Sequence, residues 1–295
     1  MRGAYKPAPG GVETLAVEDE VTNEREAADE PARRAPFRVA LEAALARRGV
    51  SFESFCPAND PVSCRVIEEY GAMYVAEGVS LPDVCVFESA EAVERFQREA
   101  VWRTAELGGA TVELQPAALD ALLRAREEAR AEGCDITPRG GAEAARRGFA
   151  DSLRLWRSRC EPALEHWRAC GCIKAEDAER VRALPLREQV AAVLELERGG
   201  LFFSKCFSKS ILQSVAAPGA SQHLAMLAFD ASEFADARVC AALARNGWFQ
   251  TVLSDLPHFT YLGLDERALP ARGLRRVELD GRAFWIPNME MMNAE

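Results

Sequence analysis

Histidine is almost missing from this chain: 295 residues include three, His166, His223 and His258. Long apolar runs are missing too, and no stretch approaches the ~20 apolar residues that a membrane-spanning helix needs. The first residues lack the continuous apolar core of a signal peptide. Positive charge is in deficit, with 36 Lys and Arg against 46 Asp and Glu and a formal net charge of −10. That balance argues against nucleic acid or an anionic membrane surface as a partner, because phosphate binding needs clustered basic side chains. There is no internal repeat. Nine cysteines are an odd count, so at least one is unpaired or bridges to another molecule. Cys170-Gly171-Cys172 has no second close pair to complete a zinc site and reads as a helix end with small side chains.

What is present is ordinary for a globular chain: 48% hydrophobic and 28% charged residues. Residues 1–35 are rich in Glu, Ala, Pro and Gly and poor in aromatics. Such a segment cannot bury enough apolar surface to offset its ordering entropy and is expected to be a disordered tail. Residues 36–110 read as an N-terminal α/β segment. It has helices over Val39–Arg48 and Glu91–Thr104 and a buried strand at Val84–Phe87. Residues 111–295 read as a second unit. There Thr111–Leu114 alternates like a strand, and Pro116–Glu132 is a helix with Pro in its first turn and Gly133 as its stop. Residues 151–198 form a helix-rich insertion in which Trp156, His166 and Trp167 are core residues. Ser204–Ser214 reads as a short helix, and Ala235–Trp248 as a helix ending at Asn246-Gly247. Strands are expected at Phe249–Val252, Phe259–Leu262 and Arg282–Ile286. The class is α+β.

Two of the three histidines have a carboxylate close by in the sequence. His223, Asp230 and His258 are three ligands of the kind a catalytic zinc uses, since imidazole nitrogen and carboxylate oxygen suit a tetrahedral ion with one open position. Asp255 is a further carboxylate of the type that serves as a general base. A regular strand would point Asp255 and His258 to opposite faces. The backbone must therefore bend there, and Pro257 makes a departure from regular pairing plausible.

This pattern resembles the zinc D-alanyl-D-alanine carboxypeptidases and their superfamily, which also includes lysostaphin-type enzymes and hedgehog domains. The family motif Ser-x-His-x-x-Gly-x-Ala-x-Asp follows a Pro-Gly turn. Here Pro218-Gly219 precedes Ser221, His223, Ala228 and Asp230, with Met226 in the glycine position. The second motif, Glu-x-x-His-aromatic, is matched by Asp255-Leu256-Pro257-His258-Phe259, with aspartate in place of glutamate. The match covers about the C-terminal half. The resemblance implies a small antiparallel sheet carrying a Zn²⁺ site and flanked by helices. It implies hydrolysis of cell-wall peptides, with a peptidoglycan stem peptide as substrate and the cell envelope or periplasm as location. It gives Asp255 the role of base and Ser221 that of a substrate hydrogen-bonding group. A family arginine pairs with the substrate carboxylate. Arg139, in the loop after Gly133, is the candidate here, with Arg146 second, and Lys205 and Lys209 are possible anion contacts. Hedgehog domains imply the alternative, a zinc-stabilised binding module without turnover.

Overall fold

The computed structural model describes residues 34–57, 60–253 and 255–290. The expected disordered tail therefore lies outside the described residues except for Arg34 and Ala35, and Ala35 is buried against the start of the first helix. Helix α1 (Pro36–Arg47) begins on a proline and buries Phe37, Leu41, Ala44 and Leu45. These recur every three or four residues and so face one side. After the single turn α2 (Phe52–Phe55), α3 (Pro61–Tyr70) starts under an Asp60 cap whose carboxylate accepts from the amides of Val62 and Ser63. A 3-10 segment, Gly71–Val75, continues it.

Helix α4 (Ala90–Ala100) leads into the hairpin β1 (Arg103–Leu107) and β2 (Ala110–Leu114). Its turn is Gly108-Gly109, both at positive φ, a conformation that only glycine adopts without strain. The expected division at residue 110 falls inside this hairpin. Helix α5 (Pro116–Ala131) buries Ala118, Leu119, Ala121, Leu122, Ala125 and Ala129. It is tied to α9 (Ala237–Arg245) and its cap through Glu128, which accepts from Arg245 and Asn246.

The central sheet is antiparallel in the order β3-β5-β4, from β3 (Ala228–Asp230), β5 (His258–Tyr261) and β4 (Trp248–Phe249). A second hairpin, β6 (Leu274–Leu279) with β7 (Arg282–Pro287), closes the chain. The architecture is thus α+β with small antiparallel sheets. The main core gathers Phe37, Leu122, Phe229, Leu243, Trp248 and Trp285, from both sides of residue 110.

The 151–198 region forms α6 (Phe149–Ala169), α7 (Ala175–Ala183) and α8 (Leu186–Arg198). Trp156 is fully buried there, and His166 stacks on Phe207 at 4.1 Å between ring centres. These helices share a second core with Val62, Val66 and Tyr70 of α3 and with Val252, so they do not hang outside the fold. Glu197, buried at the end of α8, accepts from the amides of Phe203 and Ile211 and from the Ser210 hydroxyl. One carboxylate thereby organises the loop that follows.

Three expected elements differ. Val84–Phe87 is a bent segment, not a strand. Its one backbone-to-backbone bond among the described residues is the Phe87 amide donating to the Gly219 carbonyl at 2.9 Å, and one such bond is no ladder. The Val84 and Cys85 carbonyls accept from the Tyr74 hydroxyl instead. Ser204–Ser214 contains only the 3-10 turn Ile211–Gln213, because Glu197 draws the backbone amides away from a helical pattern. Phe249–Val252 stops being strand after Phe249, where the chain turns toward the site.

Candidate metal centre

Antiparallel register places Asp230 directly opposite His258, the last residue of β3 against the first of β5. Facing partners in such a pair project side by side. His223 comes from the 3-10 turn Gln222–Ala225 just before β3. This turn is closed by Met226 in the left-handed region (φ 57°, ψ 35°), whose amide donates to the His223 carbonyl. Ahead of it, Gly219 at φ 84° has no room for a side chain: a Cβ there would lie 2.0 Å from the Phe87 carbonyl oxygen. The expected Pro-Gly turn is therefore required by close packing as well as by its backbone angle.

The three side chains converge. His223 Nε2 lies 3.2 Å from His258 Nδ1 and 3.4 Å from Asp230 Oδ1, and His258 Nδ1 lies 3.2 Å from the same oxygen. The remaining ring nitrogens are taken up elsewhere. His223 Nδ1 donates to the Ala145 carbonyl at 2.6 Å, and a carbonyl can only accept. His258 Nε2 donates to Gln222 Oε1 at 2.7 Å. That oxygen is fixed as the acceptor because Gln222 Nε2 donates to the Tyr70 carbonyl and Thr260 Oγ1 donates to Oε1. Thr260 in turn pairs with the Thr251 hydroxyl at 2.6 Å.

Each neutral imidazole carries one N–H, so the two inward nitrogens and the carboxylate oxygen present only lone pairs to one another. Burial, reinforced by the Arg147 guanidinium, pushes His223 down to about 4, so it is neutral at pH 7. Burial opposes ionisation of Asp230, and what holds its carboxyl well below the usual range is charge and hydrogen bonding from protonated imidazoles beside it, which neutral rings turning lone pairs inward do not supply. With neither ring protonated, three lone-pair donors meet within hydrogen-bond distance, an arrangement that a cation would satisfy.

The spacing suits a metal ion. A tetrahedral centre with bonds of ~2.0–2.1 Å has ligand-to-ligand edges of ~3.3–3.4 Å, close to the three separations seen here. Arg147 Nη2 donates to Asp230 Oδ2 at 2.6 Å, which leaves Oδ1 as the single ligand oxygen. The buried His223, Asp230, His258 group can therefore hold a metal ion. Outer partners of this kind fix ligand orientation and tautomer.

A cavity of about 170 Å³ opens on this group, lined by Asp255, Ser221, Tyr70, Arg147, Arg159 and Ser214 among others. Asp255 sits in successive turns: its amide donates to the Val252 carbonyl, and the Asp255 carbonyl accepts from the His258 amide. The expected bend is there, and both side chains reach one cavity. The Asp255 carboxylate has no hydrogen-bond partner among the described residues. Burial raises its pKa, with the negative Asp230 adding to the rise and His258 opposing it.

The arginines fall differently from expectation. Arg139 is exposed, its guanidinium 5.3 Å from the Phe234 ring centre, and what it gives the site is its amide, donating to the Asp230 carbonyl. Arg146 is engaged by Glu113, Gln97 and the face of Trp102. Neither lines the cavity; Arg147 and Arg159 do. Arg147 is committed to Asp230 and the Glu143 carbonyl. Arg159, on α6, donates to Ser214 Oγ and to Ser158 and forms no ion pair among the described residues. Lys205 and Lys209 line an adjoining cleft with Cys206, Gln213, Ser214 and Asp255. Sequence reasoning had no signal for Arg147 or Arg159, whose partners lie 83 and 55 residues away.

No family model, curated protein or solved structure matches this chain. What the chain itself presents is a cluster of two histidines and one aspartate that could hold a metal ion, at one end of the β3–β5 pair.

Proposed function

We propose that the protein is a zinc-dependent peptidase of the D-alanyl-D-alanine carboxypeptidase type, acting on peptidoglycan stem peptides. The observation that carries the reading is the triangle of lone-pair donors at 3.2–3.4 Å, whose borderline nitrogen and oxygen ligands and tetrahedral edge lengths favour Zn²⁺. Met226 adds support, because it holds the left-handed conformation at the position where the resembled motif has glycine. An ion held there would acidify water and polarise a scissile carbonyl.

The chain's own groups divide the remaining work. Asp255, with no competing hydrogen bond among the described residues, takes a proton on its carboxylate and returns it to the leaving amine. Ser221 faces the cavity with a hydroxyl that caps nothing and donates to the substrate. Arg159 takes the role expected of Arg139: its fork binds the terminal carboxylate of the peptide. Leu155, Val215 and Ala216 beside it suit an alanine-sized side chain.

The test is zinc content of the purified chain, followed by release of D-alanine from a D-Ala-D-Ala peptide with and without chelator. One zinc per chain and chelator-sensitive release are expected. Asp255→Asn should keep the metal and lower kcat by roughly 10²–10⁴-fold. Arg159→Ala should raise KM for peptides with a free carboxylate more than for amidated ones, while Arg139→Ala leaves that ratio alone. Stoichiometric zinc without turnover would assign the non-catalytic module instead.

A further inference from the structure

We infer that Cys56 and Cys64 form a disulfide bond when the protein meets an oxidising thiol pool. Their sulfurs lie 3.7 Å apart, the only cysteine sulfurs in mutual contact among the described residues. Both are presented by hydrogen-bonded turns. The Cys56 amide closes α2 by donating to the Phe52 carbonyl, and the Cys64 amide donates to the Asp60 carbonyl in the first turn of α3. A bond of ~2.05 Å requires an approach of about 1.7 Å, within reach of side-chain rotation.

Access sets the order of events. Cys64 is partly exposed and Cys56 is buried. The Cys64 thiolate attacks one sulfur of oxidised glutathione, forming a mixed disulfide and releasing one glutathione thiolate. The Cys56 thiolate then attacks Cys64 Sγ, the bond to glutathione breaks, and the second glutathione leaves. Two electrons pass from the protein thiols to one glutathione disulfide, and both thiol protons end on reduced glutathione. Burial raises the Cys56 pKa, so the second step is the slow one.

The consequence reaches toward the metal centre. Helix α3 runs from this pair to Tyr70, whose carbonyl accepts from Gln222, the residue that orients His258. A bond at the near end of α3 fastens that strut to α2.

The experiment uses the full chain, incubated with oxidised glutathione at about pH 8.5, near the ordinary pKa of a free thiol. Remaining thiols are then alkylated and the protein is digested without reduction for mass spectrometry. The expected product joins the Cys56 and Cys64 peptides, two hydrogens lighter than the thiol pair. The Tm of the oxidised protein should exceed that of the reduced one by roughly 5 °C. Cys64→Ser, at the less buried position, should abolish both effects while folding. Recovery of both cysteines alkylated, of glutathione held on Cys64 beside a free Cys56, or of a bond to Cys85 would overturn the inference.

Discussion

An imidazole whose one proton is committed outward has only a lone pair to offer inward, and here two rings do this toward the same carboxylate. The commitment of His258 depends on Gln222, which depends on the Tyr70 carbonyl for its orientation. Gln222→Ala should therefore free the ring and lower zinc affinity roughly 10–100-fold, the usual worth of a group behind a ligand. Competition with a chelating dye measures this; an unchanged affinity would overturn the tautomer assignment. At this scale much was legible. His223, Asp230, His258, Ser221 and Asp255 all line one cavity, because motif spacing transmits local backbone geometry. The arginines were not legible, since Arg147 meets Asp230 through tertiary packing alone.

Among the elements, the Glu197 staple and the α5 terminus carry separable predictions. Glu197 Oε1 accepts from two backbone amides and Oε2 from Ser210. Glu197→Ala leaves two buried amides unpaired and should cost about 2–4 kcal/mol by denaturant unfolding. Glu197→Gln keeps the amide-facing oxygen and lets its NH₂ donate to Ser210, so it should cost much less; equal losses would show that packing, not hydrogen bonding, is at stake. Asp135 is held by Arg126, whose hydrogen bonds depress its pKa most, and by Arg130 and the Ile136 amide. A carboxyl with a depressed folded-state pKa stabilises in full above its unfolded pKa of about 4, and that contribution is lost as pH falls below it. The side chain is 36% exposed, so solvent screening limits the effect to under ~1 kcal/mol. Asp135→Asn should lower the unfolding midpoint near neutral pH and lower it by clearly less near pH 2. A loss of equal size at both would remove the ion pairs as its cause. Helix α5 itself was readable from its Pro start, leucine face and Gly133 stop. Val84–Phe87 misled because an apolar run of four gives no sign of whether a partner strand exists to pair with it.

Over the whole molecule, composition and the order of elements gave the α+β class but not how the parts interlock. The helices of residues 151–198 read as an insertion because nothing in their sequence reveals that Val62, Val66 and Tyr70 supply the other half of their core. Helix α3 belongs to both cores, with Ile67 in the main one and Val66 in the second. The cavity is likewise walled by α6 through Ser152, Leu155 and Arg159 and by the sheet through Asp230 and His258. Unfolding either core therefore exposes apolar surface of the other and removes one wall of the metal site. Residues 34–290 should melt in a single transition, and zinc should shift all of it. An ion present at 1,000 times its Kd adds about 4 kcal/mol of stability, which in a chain of this size raises Tm by roughly 10 °C. Calorimetry with zinc and then with excess chelator measures the shift. His223→Ala should keep the transition and lose its dependence on zinc. Two resolved transitions, only one of them moved by the metal, would make the 151–198 helices an independent unit after all.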